Sequence, residues 1–235
     1  MIGTVFGTST LYRDLSIKEA ESIISIASPL LKEIVDYSTN ALMRCATSKR
    51  IGDNDDHLAP LTIYRHVIEF TDGIEVCCRE CVTTPIIPLV RSIFEATLSL
   101  EYILEDPATF TQRSLSWLVT FIHSRLDMYE RFDPETPKGR DFDNLLAQDV
   151  LGKDVNFPPP DRSRIQHQSL STVLAKNHIV PIEAEYNNRR NSNWFSLFGG
   201  PSNLYELAKY LHRGAEYGIL YRFWSMTSHG KVRIP

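Results

Sequence analysis

"PIIPLVRSIFEATLSLEYILE", residues 85–105, is apolar along most of its length, and its two central charges, Arg91 and Glu95, stand four residues apart. Leu89, Val90, Ile93, Phe94 and Leu98 surround them at helical rather than alternating spacing. Thr84 precedes Pro85, pairing a side chain that caps free amides with a ring whose fixed φ suits the first helical position. Asp106 before Pro107 repeats the device and opens a second long helix, "PATFTQRSLSWLVTFIHSRLDMYERF", residues 107–132. Strand signals are scarce elsewhere.

Toward the N-terminus, Ser16 and Glu19 form a capping box. Ile17, Ala20, Ile23, Ile24, Ala27, Leu30, Leu31 and Ile34 follow at helical spacing, which predicts a first helix of about twenty residues bent at Pro29. The polar stretch "SKRIGDNDDHLAP", residues 48–60, separates it from a helix near 61–80. Toward the C-terminus, the turn "DPETPKG" (133–139) leads to an amphipathic helix over "RDFDNLLAQDVLG" (140–152) with Gly152 as its stop. "NFPPPD" (156–161) is a turn, and Asp161 caps a helix over 162–177. Residues 178–200 show little periodicity and read as an ordered loop with at most one short helix. Pro201 and Ser202 open a helix over "NLYELAKYLHR", and Gly214 separates it from the last one. The expected fold is all-α: an antiparallel bundle of about seven or eight helices, with a long irregular loop before the last two. Residues 1–235 are expected to form a single helical domain, in which 1–60 supply an N-terminal helix and polar loop and 61–235 the core.

With 235 residues, 43% apolar and 23% charged, the chain can bury a core without disulfides. It has no apolar run of about eighteen residues, and "MIGTVFGTSTLYRDLS" lacks the basic-then-apolar pattern of a secretory signal, so no membrane and a cytoplasmic location are expected. The net charge of −4 argues against a dedicated duplex-DNA binder, whose affinity comes from phosphate neutralisation. Cys77, Cys78 and Cys81 crowd into "CCREC". The C-x-x-C of Cys78 and Cys81 has no second ligand pair, so these thiols read as small apolar residues, with no metal and no cofactor.

The polar side chains of interest cluster in two places. In "YRFWSMTSHG" (221–230), Tyr221, Ser225 and His229 continue a step of four from Tyr217, and Arg222 joins them on one broad face. Trp224 and Met226 mark that helix as partly buried, so its polar groups need partners. Arg91 and Glu95 are the expected suppliers, facing the last helix near Ser225 and His229, with Tyr221 at the edge. Two roles stay open: an ion pair that fixes helix register, or a working site. In the second, His229 on the last turn before Gly230 transfers protons, and Arg222 holds a phosphate or carboxylate. His66, His123, His167, His178 and His212 are scattered singly and read as surface or helix-end histidines. "FGGPS" lacks the lysine of a phosphate loop, and Arg189 and Arg190 sit in a solvated turn.

The order "RSIFEATLSLEYIL", "NSNWFS", "PSNLYELAKYL", "EYGILYRFWSMTSHG" resembles a bacterial family known only as a domain of unknown function, over roughly residues 61–231. The resemblance implies a helical fold with a shared polar cluster, marked here by Arg91, Glu95, Trp194, Tyr221, Ser225 and His229. Arg222 and His229, with six residues between them, are also similar to the Arg-x4-6-His motif of the HEPN superfamily, which includes metal-independent ribonucleases of toxin and phage-defence systems. That resemblance implies RNA as a partner, dimeric pairing, and catalysis by His229 and Arg222 with Ser225 beside them. Phe223 stands where active HEPN enzymes carry a polar residue, so an inactive descendant is the other form it implies. The competing class is a noncatalytic helical module that binds a partner protein or senses a small ligand.

Overall fold

A computed structural model describes residues 13–48, 55–82, 84–150, 152, 159–189 and 193–221. Among them every regular element is helical: α1 (Arg13–Ala46), α2 (Leu58–Arg79), α3 (Ile86–Leu104), α4 (Phe110–Arg131), α5 (Pro137–Gln148), α6 (Pro160–Leu174), α7 (Val180–Asn188), α8 (Leu204–Tyr210) and α9 (Gly214–Glu216). A 3-10 segment, Trp194–Gly199, precedes α8, and a π-helical turn, Tyr217–Tyr221, continues α9. The all-α class therefore holds.

Several boundaries differ from expectation. Helix α1 runs for 34 residues with Pro29 inside, and the Ser16–Glu19 pair lies within it rather than at its start. A proline removes one ladder bond, and a long helix survives that where its other residues are adequate formers. Helix α4 starts at Phe110 instead of Pro107, because the Asp106 carboxylate accepts the Ala108 amide at 2.9 Å and holds the intervening residues in a turn. Helix α5 starts inside "DPETPKG": the Thr136 hydroxyl accepts from the Gly139 amide at 2.9 Å, with Pro137 next at the first helical position. Within 178–200, α7 and the 3-10 segment supply regular structure, with Phe198 at φ 54° and Gly199 at φ 80°.

The chain divides into two compact units, one from Met1–Gly52, Pro60–Tyr102 and Leu204–Pro235, the other from Asp53–Ala59 and Ile103–Asn203. In the first, Ile63, Ile68 and Ile74 of α2, Phe94, Leu98 and Tyr102 of α3, and Leu207 and Ala208 of α8 are buried. Ser28 of α1 donates to the buried Glu75 carboxylate of α2, which also accepts from Arg79. In the second unit, Leu115, Leu118, Val119, Ile122 and Leu126 of α4 form one apolar cluster with Leu174, Ile179 and Ile182. The acidic run before α2 is an anchor of that unit rather than a free linker. Asp55 accepts from Lys176 at 2.7 Å and lies 3.2 Å from His178, while Thr111 donates to Asp56 at 2.8 Å.

Candidate functional site

One turn of α3 separates Arg91 from Glu95, so the two side chains lie one above the other on the same face. Arg91 Nε donates to Glu95 Oε1 at 2.9 Å, and its Nη2 donates to the Tyr221 hydroxyl at 2.8 Å. That hydroxyl in turn donates to the same Glu95 Oε1 at 2.9 Å. Guanidinium, carboxylate and phenol close a ring in which each touches the other two.

Aromatic packing holds Tyr221 in place. It is 9% exposed, and Tyr217 stacks on it at 4.6 Å between centroids, with Tyr205 beyond at 5.3 Å. The Arg91 guanidinium carbon lies 4.8 Å from the Tyr221 ring centre, within cation–π range. The turn that delivers Tyr221 is a π-turn, wider than an α-turn and a form frequent at functional sites. A second arginine supports the same segment: Arg213 binds Glu101 of α3 and Glu216 of α9, with its guanidinium 5.6 Å from the Phe94 ring.

Electrostatics fix the protonation of this ring. Burial, reinforced by the Glu95 carboxylate and opposed by Arg91, pushes the Tyr221 phenol up to about 12. Partial burial disfavours the Arg91 charge, but the hydrogen bonds and charges of Glu95 and Tyr221 outweigh it and hold Arg91 above the ordinary arginine value. Neither group titrates near neutral pH. The ring can orient a neighbouring segment and present a cation.

Of the residues singled out by sequence, Arg91, Glu95 and Tyr221 come together. Trp194 belongs to the other unit, edge-on to Phe195 at 5.6 Å. Arg222, Ser225 and His229 lie outside the described residues. Sequence reasoning missed Arg213 and Glu101; the visible signal was the Arg213–Glu216 spacing of three.

A model for a family of unknown function, DUF5677, matches residues 57–234, most of the chain and the whole span that carries this cluster. The chain belongs to that family. No curated protein and no solved structure matches this DUF5677 chain. Helix α1 precedes the span that the DUF5677 match covers.

The second unit gathers its own polar set. A cleft of about 210 Å³ is lined by Tyr129, Glu130, Asp133, Thr136, Ser163, Arg164 and His167. Arg164 grips Asp133 through two bonds of 2.8 Å, and that guanidinium holds the Asp133 carboxyl at about 2. His167 stands 3.6 Å from Glu130, and His123 lies 2.8 Å from Glu183 while stacking on Tyr186. Both histidines looked isolated because their partners are distant in sequence. Among the described residues no group of three His, Cys, Asp or Glu side chains is placed to hold a metal ion, and no helix is long and apolar enough to cross a membrane. The cysteines are unbridged, and burial, with Cys77 and Glu75 close by, pushes the Cys78 thiol up, away from the reactive thiolate.

Proposed function

We propose that this protein processes RNA as a HEPN-like helical protein, a metal-independent endoribonuclease or its inactive descendant. In this reading it works as a homodimer in the cytoplasm, within a bacterial defence or toxin-type system. The observation that supports it is the tyrosine clamp: Tyr221, held by both Arg91 and Glu95, immediately precedes the Arg222-x6-His229 stretch. In this reading His229 would add a group that can both accept and donate a proton at neutral pH. His229 would take the proton of a ribose 2′-hydroxyl, and the resulting oxyanion would attack the adjacent phosphorus as the P–O5′ bond breaks, leaving a 2′,3′-cyclic phosphate and a 5′-oxygen that takes up a proton from water, while Arg222 stabilises the charge on the phosphoryl oxygens. Ser225 would donate a hydrogen bond to the same phosphate, and no metal is required.

A second reading, a noncatalytic ligand-sensing or protein-interaction module, draws on one observation: Arg91 and Glu95 are already bonded to each other and to Tyr221, as in a structural ion pair. Incubation of a mixed RNA pool with wild type, His229→Ala and Arg222→Lys separates the two. The RNA-processing reading expects cleavage by wild type, none by His229→Ala with an unchanged melting temperature, and a weaker reaction with Arg222→Lys, which loses the fork geometry. An intact RNA pool beside anion binding that still depends on His229 selects the sensing module. Equal behaviour of wild type and His229→Ala in both assays overturns a role for this histidine.

A further inference from the structure

Helix α1 carries an apolar face directed away from its own unit. Ile23, Ile26, Leu30, Ile34 and Tyr37 are 69%, 72%, 55%, 45% and 76% exposed. At 100° per residue they fall in a band about 80° wide along one side of the helix. The half-buried Ile24, Leu31 and Val35 form a different band, about 120° round, on the side where Ser28 donates to Glu75 of α2. One stripe of α1 is thus used within the first unit, and the other has no cover among the described residues.

We propose that this exposed stripe pairs with the same stripe of a second copy, in an antiparallel α1–α1 interface whose two-fold axis passes beside Leu30. The spacing of the five side chains argues for a copy of this chain over an unrelated partner. From Ile23 to Tyr37 the steps are three, four, four and three, a sequence that reads the same in both directions about Leu30. A two-fold operation therefore sets Leu30 on its own copy, Ile26 on Ile34 and Ile23 on Tyr37, with no apolar residue left over. Weighted by these exposures, the five side chains offer roughly 600 Å² per copy, so complete cover of both stripes would bury roughly 1,200 Å², the lower bound for a specific interface. Charge does not oppose the pairing. Glu33, at the edge of the band, meets the Ser22 and Ile26 side of the other helix, and the two Glu33 residues stand about 9 Å apart along the axis.

The inference rests on the homodimer of the proposed function and not on its RNA chemistry, so a protein that fails to cleave RNA leaves it intact. Sedimentation equilibrium of the full chain at roughly 50 μM should give twice the chain mass. Leu30→Glu and Ile26→Ser should each give the single-chain mass with unchanged helicity, because both positions are exposed in the isolated unit. A monomeric wild type, or a dimer indifferent to both substitutions, overturns the proposal. Disulfide trapping in a Cys45→Ser background tests the direction independently. Leu30→Cys should cross-link across the axis, whereas Ile23→Cys alone should not, since antiparallel pairing puts the two copies of position 23 about 21 Å apart along the helices. Cross-linking of both variants equally indicates parallel helices and refutes the antiparallel pairing.

Discussion

Replacing Glu95 by Gln, Arg91 by Met, and both together measures how far the polar ring of α3 is sealed from water. A fully buried ion pair that loses one partner costs about 3–5 kcal/mol, because a charge is stranded, and an exposed pair costs about 0–1. Here the Arg91 side chain is 25% exposed and that of Glu95 is 40% exposed, so water screens the pair substantially on the carboxylate side. Two features raise the cost above the surface value: the Tyr221 hydroxyl bonds to both charges, and its ring covers the guanidinium. Each single substitution should therefore cost about 1–2 kcal/mol, between the value of an exposed pair and the about 1.5–3 kcal/mol of a hydrogen bond to a charged group. The double variant should cost about as much as either single one, which is a coupling of about 1–2 kcal/mol. Urea unfolding at pH 7, followed by circular dichroism, reads these values from the midpoint at constant m. A loss of 3 kcal/mol or more in either single variant would show that the ring is sealed in the core. Strictly additive losses would show that the two charges do not interact, and the clamp argument would fall with them.

The same ring has an alkaline signature. Since the Tyr221 phenol is pushed up to about 12 from 10.0, its contribution is fully present below pH 10 and is lost as pH rises toward 12; Tyr221→Phe should abolish that part of the decline, and identical wild-type and variant slopes refute the shift. In the second unit, a Cβ on Gly139 would meet the Asp133 carbonyl oxygen at 1.8 Å, a clash with backbone that no rotamer relieves. Gly139→Ala should cost about 1–3 kcal/mol by displacing α5, and an unchanged melting temperature would mean that α5 shifts freely.

The helical class was written in local sequence. Apolar spacing along α3 and α4 and proline after a capping side chain act over a few residues, so composition and order alone specify them. Arg91 and Glu95 were legible for the same reason: two charges in an apolar helix are rare enough to mark themselves. What local pattern could not decide was which apolar face meets a partner. The run from Ile23 to Ile34 looks like a core stripe, yet Ile23, Leu30 and Ile34 face solvent, because burial depends on what another element offers and not on the helix itself. Tyr221 at the centre of the ring, Arg213 against Glu101, and His167 beside Glu130 join residues 126, 112 and 37 positions apart or bring in side chains that carry no mark of their own. Hydrogen bonds and ion pairs reach only about 3–4 Å, so long-range pairs of this kind exist only once helices have packed. The sequence alone thus determined that this chain folds into helices and where two charges sit within an apolar helix. Tertiary packing alone decided which tyrosine those charges hold, because that choice is made by distance in space.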